Sequence, residues 1–217
     1  MGRLYDATWG RGFSALYDRA LKATEENGLR DTRREVLAEA SGRTIDIGAG
    51  TGANIGLFPA SVTELALAEP DPHMARRLRE RLAKSGERGE IVEAPAQSLP
   101  FEDSSFDTAV FTLVLCTIPD PAAALAEAAR VLRPGGRLLF VEHVRAQEPG
   151  LARWQDRLEK PWRFLADGCH CNRDTVAAIE ASPLSLERVE RGGLPKALPI
   201  VRPLAWGRAK LPERSGE

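Results

Sequence analysis

The 217-residue sequence predicts a single α/β domain in which helices cover both faces of a largely parallel β-sheet. Three observations predict it. Short β-branched runs alternate with helical segments along the chain. The run from Asp107 to Leu115 is almost entirely apolar, as expected for a strand that is buried on both faces. A turn with glycines at positions 48, 50 and 52 directly follows the first predicted strand, and no repeat or linker interrupts the pattern.

The N-terminal part of the chain is predicted to be helical. Arg11 to Asn27 and Asp31 to Ala40 carry helical patterns, and Gly28 is placed to end the first of these helices. The first strand is predicted over Thr44–Ile47, where β-branched residues precede the glycine turn.

Helices and strands then alternate. Gly52–Phe58 is expected to form a helix that Pro59 ends, and Leu65–Ala68 to form the second strand. Pro72–Lys84 is a predicted helix with proline in its first turn, and Glu90–Glu93 a short third strand.

The second half continues the alternation. After the apolar fourth strand, Pro121–Leu132 is an alanine-rich helix that the run Arg133–Gly136 stops, and Arg137–Val144 is the fifth strand. The last two strands are predicted over Leu184–Arg191 and Ile200–Gly207, with Pro195 and Pro199 between them and Pro203 within the second.

Composition excludes several classes of protein. The net charge is −1 with both signs interspersed, so no basic surface for nucleic acid is expected. The longest apolar run, Ala109 to Cys116, is too short to span a membrane, and no signal peptide is visible. Three cysteines, an odd number, fit a reducing compartment better than a disulfide framework. We therefore expect a cytoplasmic protein without an integral membrane segment.

The glycine turn and Glu69 together predict a site for a nucleoside cofactor. Glycines let backbone amides approach a ligand closely, and an acid after the next strand is placed to accept hydrogen bonds from ribose hydroxyls. The glycine spacing leaves the cofactor open. Gly48, Gly50 and Ala53 also satisfy the fingerprint of NAD-binding proteins, whereas a cofactor without phosphate, such as S-adenosylmethionine, needs only room and a few donors.

Four motifs in order resemble the class I S-adenosylmethionine-dependent methyltransferases over about residues 42 to 145. They are Asp46 with the three glycines, Glu69, Leu99-Pro100-Phe101 before Ser105-Phe106-Asp107, and the run from Arg130 to Gly136. Three further motifs are similar to the thiol S-methyltransferases of animals and their bacterial relatives, and carry the resemblance almost to the end of the chain. These are the segments Thr112–Cys116, Glu142–Val144 and Asp167–Cys169. We expect no counterpart here of the membrane-anchoring N-terminal segment of the animal proteins.

The resemblance implies a Rossmann-like seven-stranded sheet, mostly parallel with the last strand antiparallel, and S-adenosylmethionine across the carboxyl ends of the strands. It divides the chain into an N-terminal helical lid over residues 1–41, a cofactor-binding core over 42–145, and acceptor-side helices with the last two strands over 146–217. The cofactor contacts that it implies are Asp46, Gly48, Ala49, Gly50, Gly52, Asn54, Glu69, Pro70, Ala96, Gln97, Thr112 and Leu113.

Each of these positions has an implied role. The glycine turn would face the methionine and ribose, Asp46 would hold the methionine amino group through water or the loop backbone, and Asn54 would either serve the cofactor carboxylate or cap a helix. Glu69 would take the ribose hydroxyls, and the residue after it would shape the adenine slot. The residues at 96 and 97 would lie along the adenine edge, and those at 112 and 113 near the sulfonium. Pro95 stands where many relatives have Asp, so adenine recognition would rest on the backbone that follows it.

The expected chemistry is direct displacement at the methyl carbon of the cofactor, with a small-molecule thiol as the acceptor and oxygen or nitrogen acceptors as the alternative. A thiol needs no strong base, because a few per cent is already thiolate at neutral pH. His143, near the end of the fifth strand, is the natural base or thiolate-stabilising donor, although a core-edge histidine would look the same. Asp167 and His170 belong to the segment expected to close the cleft, and either is a candidate contact to the acceptor.

Further residues are candidates for the acceptor pocket. Cys116 is expected to pack at the end of the fourth strand, and Trp154, Trp162 and Tyr17 are candidates for apolar walls. We predict no metal, because the run Cys169–Cys171 lacks the second ligand pair of a zinc site. The other hypotheses are an NAD-dependent oxidoreductase and a non-catalytic cofactor-binding protein.

Overall fold

The computed structural model describes residues 22–166, 168–194 and 196–213, which contain a seven-stranded mixed sheet. The strands are Gly42–Ile47 (β1), Val62–Ala68 (β2), Glu90–Val92 (β3), Phe106–Thr112 (β4), Leu132–His143 (β5), Ser185–Gly193 (β6) and Pro203–Lys210 (β7). Their order is β3-β2-β1-β4-β5-β7-β6. Strand β7 is antiparallel to both β5 and β6, and the other pairs are parallel. The predicted fold class is confirmed.

Five α-helices flank the sheet in the described residues: Arg30–Leu37 (α1), Pro72–Ser85 (α2), Pro121–Val131 (α3), Pro149–Leu165 (α4) and Thr175–Glu180 (α5). The local sequence explains where several begin. Asp71, Asp120 and Glu148 each precede a proline at the first helical position and accept hydrogen bonds from amides of the first turn. Proline suits that position because its fixed φ is helical and its missing N–H would have no partner there.

Before the sheet, a π-helical segment, Glu25–Leu29, leads into α1. Within this segment Gly28 has φ 135°, which breaks the helical path before α1 begins, as expected for the stop of the first helix. Residues 1–21, which contain most of that first predicted helix, lie outside the described part. Helix α1 ends at Leu37, three residues before the predicted end.

One predicted helix is wrong. The segment Gly52–Phe58 forms consecutive turns instead of an α-helix. Gly52 and Gly56 have φ of 84° and 81°, outside the right-handed helical region, so no regular helix can run through them.

The later strands differ from their predicted bounds. Strand β4 ends at Thr112, because Leu113 takes a positive φ of 59° that an extended strand does not allow. Strand β5 already begins at Leu132, and its pairing with β4 shifts register where the predicted turn lies. The last two strands begin and end later than predicted, and Ile200 lies in a short 3₁₀ helix, Pro199–Val201, before β7.

The core lies on both faces of the sheet. Alternate residues of β4 point to opposite sides, so Phe111 packs in one apolar cluster and Val110 in another. Helices α3 and α5 contribute to the first cluster, and α1 to the second. Fully burying one such side chain contributes about 1.5–3 kcal/mol, so this double-sided core fixes where the strand ends lie.

Within the described ranges, no helix is both long enough and apolar enough to cross a membrane.

Candidate active-site cleft

A cavity of about 940 Å³ opens at the carboxyl ends of β1, β2, β4 and β5. The chain runs from β1 toward β3 on one side and from β4 toward β5 on the other, so strand order reverses between β1 and β4. Ligands of open α/β sheets bind at such a switch point. The cavity has the size expected for a small-molecule site.

The loop after β1 forms the floor of the cavity. Gly48 and Ala49 donate their N–H groups to the carbonyl of Ala68, which ties the loop to the end of β2. Gly48 has φ 73°, and a Cβ there would stand 2.4 Å from Val114, so a larger residue would clash. Gly50 has φ 58°, and a Cβ there would meet nothing within 4 Å. The backbone at Gly50 therefore borders open space in the cavity.

Gly52 points elsewhere. A Cβ at this position would meet Ile55 at 2.7 Å and Leu78 at 2.8 Å, so the residue packs against apolar side chains of the core. It does not line the cavity. Its implied contact with a cofactor is therefore corrected to a role in shaping the loop.

Glu69 lines the cavity at the end of β2 and is only 7% exposed. Its two carboxylate oxygens accept hydrogen bonds from the amides of Gly50, at 2.8 Å, and Asp71, at 2.9 Å. Burial raises the pKa of Glu69, while these two amides lower it. The adjacent Pro70 also borders the cavity.

Beneath the loop, Asp46 is fully buried and does not line the cavity. Its Oδ2 accepts a hydrogen bond from Asn54 Nδ2 at 2.9 Å, and the same amide donates to Thr112 Oγ1 at 3.0 Å. Burial raises the pKa of Asp46 to about 6, and the hydrogen bond from Asn54 opposes that rise. Asp46 thus reaches the cavity only through Asn54. Since no helix begins at Asn54, its alternative role as a helix cap is not supported.

Arg33 completes this network and was not predicted. It lies in α1, is 2% exposed, lines the cavity, and donates from Nη1 to Asn54 Oδ1 at 3.0 Å. Its Nε contacts Glu25 Oε1 at 3.1 Å. Arg33 lies one helical turn after Leu29 and shares its buried face, so a cation on an apolar face was the available sequence signal.

At the far side of the cavity, Pro95, Ala96 and Gln97 line the wall that the resemblance assigns to adenine. Pro95 offers no side-chain acceptor, and its carbonyl already accepts the amide of Ser98 at 3.0 Å. Backbone groups at positions 96 and 97 stay the predicted contacts.

Thr112 and Leu113 line the centre of the cavity, where β4 ends. The positive φ of Leu113 turns the chain sharply, and its amide still bonds to the carbonyl of Val141 at 2.8 Å. Glu142, fully buried on β5, accepts the amides of Val114 and Leu115 at 2.9 and 3.0 Å. Burial raises the pKa of Glu142 to about 7, and these amides oppose the rise. The turn is therefore fixed from the neighbouring strand.

Next to this turn, two thiols and an imidazole meet. The sulfurs of Cys116 and Cys169 lie 3.7 Å apart, and His143 Nδ1 lies 3.9 Å from each of them. All three residues line the cavity. The hydrogen bond between the two thiols lowers the pKa of Cys169, with His143 acting in the same direction, while it raises the pKa of Cys116 together with burial.

Backbone contacts bring Cys169 to this place. The amide of His170 donates to the carbonyl of Cys116 at 2.8 Å, and Arg173 donates to the carbonyls of Leu115 and Ile118. The cluster was not predicted, because its members come from three distant segments. The available signal was that each belongs to one of the three motifs similar to thiol S-methyltransferases. Cys171 instead points away and contacts the carbonyl of Gln155.

An apolar wall faces this cluster. Trp162, Leu165 and Ala166 of α4 and its end form one part of it. The loop before β7 forms another, with Leu194, Ala197, Leu198 and Val201. The space next to the thiols is therefore suited to an apolar small molecule.

Two predicted acceptor contacts lie outside the cavity. Trp154 is 53% exposed beneath the guanidinium of Arg157, because α4 turns its neighbours Ala152 and Gln155 inward. His170 Nδ1 lies 2.9 Å from Glu159 Oε1, and burial lowers the pKa of His170. Tyr17 and Asp167 lie outside the described residues, so their roles stay predictions.

A family model described as a methyltransferase domain matches residues 45–140 of this chain. The match includes the glycine loop, Glu69, β4 and most of β5. It ends before His143 and Cys169, so part of the cavity lining lies outside the match.

Two human proteins extend the similarity. Thiol S-methyltransferase TMT1B is 34% identical over 185 residues, which is 79% of this chain and 75% of that protein. Thiol S-methyltransferase TMT1A is 31% identical over 204 residues, which is 91% of this chain and 82% of that protein.

Among solved structures, an S-adenosylmethionine-dependent methyltransferase of Thermotoga maritima superposes with a TM-score of 0.66. The similarity covers 92% of this chain and 96% of that chain at 22% sequence identity. At this identity the likeness shows a shared fold.

Proposed function

Since the chain belongs to the family of S-adenosylmethionine-dependent methyltransferases that contains the thiol S-methyltransferases, we propose that it methylates the sulfur of a small apolar thiol. The observation that carries the choice of acceptor is the extent of similarity to the two human enzymes. It reaches well beyond the cofactor half, over 79% and 91% of this chain. Similarity of this length includes residues outside the 45–140 that the methyltransferase-domain model matches, which supports a shared kind of acceptor.

The residues of the glycine loop fit a nucleoside cofactor without a diphosphate. Gly50 borders open space, and the Glu69 carboxylate beside it is placed for hydroxyl donors. A diphosphate is usually held at the N-terminus of the helix after such a loop, and here that segment consists of turns. The NAD alternative therefore loses its structural support. When bound, S-adenosylmethionine supplies a methyl group activated by a sulfonium.

We assign the cofactor to Gly48, Ala49, Gly50, Glu69, Pro70, Ala96, Gln97, Thr112 and Leu113. Asn54 and Arg33 border the same space, and Asp46 positions Asn54. Burial raises the pKa values of Asp46 and Glu69, and a positively charged ligand nearby would stabilise their ionised carboxylates.

The acceptor enters along the apolar wall, which excludes water and aligns the thiol with the methyl group. Such alignment contributes about 7–11 kcal/mol to lowering a barrier. The acceptor must also lose its proton. His143, Cys116 and Cys169 are the polar groups at that end, and we expect them to stabilise the thiolate.

A panel of matched acceptors tests the proposal. Benzenethiol, phenol and aniline share one ring and differ in the reacting atom. We expect isotope from S-adenosylmethionine in methyl phenyl sulfide, with an equal amount of S-adenosylhomocysteine. Product from phenol or aniline, with none from benzenethiol or an alkyl thiol, would replace sulfur by oxygen or nitrogen as the acceptor.

A matched pair of histidine variants locates the chemistry. His143→Gln removes the imidazole next to the thiols and is expected to lower turnover strongly. His73→Gln removes an imidazole from the first turn of α2 that does not line the cavity, and should leave turnover unchanged. Equal activity of both variants would remove His143 from the mechanism.

A further inference from the structure

We propose that Cys116, His143 and Cys169 bind a zinc ion whose fourth coordination position faces the cleft and takes the acceptor thiol. The site itself follows from the three residues. Only the identity of the fourth ligand rests on the proposed function.

The distances between the three donor atoms match the edges of a zinc tetrahedron. With bonds of about 2.3 Å to sulfur and about 2.0 Å to nitrogen, a tetrahedral zinc site needs a sulfur–sulfur edge of about 3.8 Å and sulfur–nitrogen edges of about 3.5 Å. The observed edges are 3.7 Å between Cys116 and Cys169 and 3.9 Å from each sulfur to His143 Nδ1. Closing the site requires movements of a few tenths of an ångström.

The backbone around each donor is held independently of any ion. Glu142 accepts hydrogen bonds from two backbone amides of the turn that carries Cys116. Arg173 donates to two backbone carbonyls of the same turn. The carbonyl of His143 accepts a hydrogen bond from Thr175 Oγ1 at 3.1 Å. The amide following Cys169 is bonded to the turn that carries Cys116. A preformed triangle of donors is the geometry that a metal site requires.

The donor set selects the ion. Two thiolates and one imidazole suit zinc, whereas magnesium, calcium and manganese prefer oxygen ligands. Neither thiol is engaged in a disulfide. Three protein ligands with one free position are typical of catalytic zinc, whereas structural zinc has four protein ligands. All three residues line the cavity, so the free position opens toward the acceptor space.

Methylation of a zinc-bound thiol needs no oxidant or reductant. The acceptor R–SH binds to zinc at the fourth position, a zinc–sulfur bond forms, and the S–H proton passes to solvent. A thiol on zinc is deprotonated outright, so it is held as thiolate at neutral pH. Its sulfur then attacks the methyl carbon as that carbon's bond to the sulfonium breaks. The product R–S–CH₃ is a neutral thioether and a poorer ligand, so it leaves. In this arrangement His143 holds the ion and does not act as a base.

Metal analysis tests the site without any turnover. We expect the full chain, purified without chelators and under reductant, to contain one zinc per chain. After zinc is removed, titration with Co²⁺ alone should give thiolate-to-cobalt charge transfer and the strong visible bands of tetrahedral cobalt. Absence of both zinc and these bands, in protein that still binds S-adenosylhomocysteine, would overturn the site.

The third cysteine supplies the control. Cys116→Ser, Cys169→Ser and His143→Gln should each weaken Co²⁺ binding by more than the about 10–100-fold that loss of an outer-shell partner brings. Cys171→Ser changes a buried thiol whose sulfur lies against Gln155, outside the cluster, and should keep the bands. Binding of S-adenosylhomocysteine checks that each variant is folded. Unaltered bands in Cys169→Ser would place the metal elsewhere and overturn the assignment.

Adding benzenethiol to the cobalt-loaded protein tests the fourth position. We expect an additional thiolate charge-transfer band with benzenethiol and none with phenol. Unchanged spectra would show that the acceptor is not a ligand, while the metal site itself would stand. Conversely, bound zinc together with methylation of phenol alone would refute the thiol acceptor and leave the metal site intact.

Discussion

Asp46 is a buried carboxylate whose protonation should make the stability of the protein depend on pH. Among the described residues, its Oδ1 has no hydrogen-bond partner, while Oδ2 holds Asn54. Because burial raises its pKa from 3.8 to about 6, the folded protein binds a proton more tightly than the unfolded chain. Protonation of Asp46 therefore adds to the free energy of unfolding. This contribution is fully present below pH 3.8 and is lost as pH rises through about 6.

Asp46→Asn removes this titration. The difference between the two pKa values corresponds to about 3 kcal/mol. We expect the free energy of unfolding of Asp46→Asn, relative to the unaltered protein, to rise by up to this amount between pH 4 and pH 7. Urea unfolding at each pH measures it, and equal slopes against urea serve as the control. A difference that does not change with pH would contradict the expectation.

Several of the residues that line the cavity could be predicted one at a time from the sequence. Glu69, Pro70, Ala96 and Gln97 border the cavity because strand ends carry ligand sites in this fold. Arg33 and Cys169 were missed, since they reach the cleft from a helix and a loop far away in sequence. Trp154 was misassigned because helical spacing alone does not say which face of α4 is covered.

At the scale of elements, helix α2 depends on its first turn. Asp71 Oδ1 accepts the amides of His73 and Met74, each at 2.8 Å. Asp71→Ala leaves both amides without this acceptor and should lower the free energy of unfolding by about 1 kcal/mol. Denaturant unfolding at neutral pH measures the change.

Asp31→Ala is the comparison for that variant. Asp31 pairs with Arg34 on the exposed surface of α1, where an ion pair contributes little. We expect a loss smaller than about 0.5 kcal/mol. If the two variants lose the same stability, the capping interaction is not what stabilises α2.

The strands were predicted more closely than the loop after β1. Apolar, β-branched runs specify strands through burial, and β2 to β4 lie within a few residues of their predicted positions. The helix after Gly52 failed because two positive-φ glycines override the helical propensity of the residues between them. The turn at Leu113 had no sequence signal, since Glu142 of another strand holds it.

At the scale of the whole molecule, we expect ligand binding to raise the free energy of unfolding. At S-adenosylhomocysteine concentrations of 100 times Kd, the free energy of unfolding should rise by about 2.7 kcal/mol. NAD at millimolar concentration should add nothing measurable. A rise with NAD and none with S-adenosylhomocysteine would contradict the assignment of the loop.

Two glycine variants localise that gain. Gly50 and Gly86 both have positive φ, and a Cβ at either meets nothing within 4 Å, but only Gly50 borders the cavity. Replacement by alanine costs about 1–2 kcal/mol of backbone strain at each. We expect Gly50→Ala also to reduce the stabilisation by S-adenosylhomocysteine, and Gly86→Ala to retain it. Equal gains in both would remove Gly50 from the ligand site.

The sheet order and its reversed strand were predictable from the resemblance, because the motifs occur in the same order along the chain. The division into a lid over 1–41, a core over 42–145 and an acceptor side over 146–217 stays a prediction. The packing of the last segment could not be derived locally. Glu39, after α1, bonds to Arg188 and Arg208 at 2.6 and 2.7 Å, contacts that span most of the chain.

The placement of β7 between β5 and β6 has a consequence for biosynthesis. Strand β6 leaves the ribosome before β7, yet β7 is its only neighbour among the described strands. Until Lys210 has emerged from the ribosome, β6 lacks the strand with which it pairs, and one edge of β5 stays unpaired. A nascent chain can therefore assemble β1 to β5 first, while the apolar wall that the loop before β7 contributes to the cavity forms only after β7 has been synthesised.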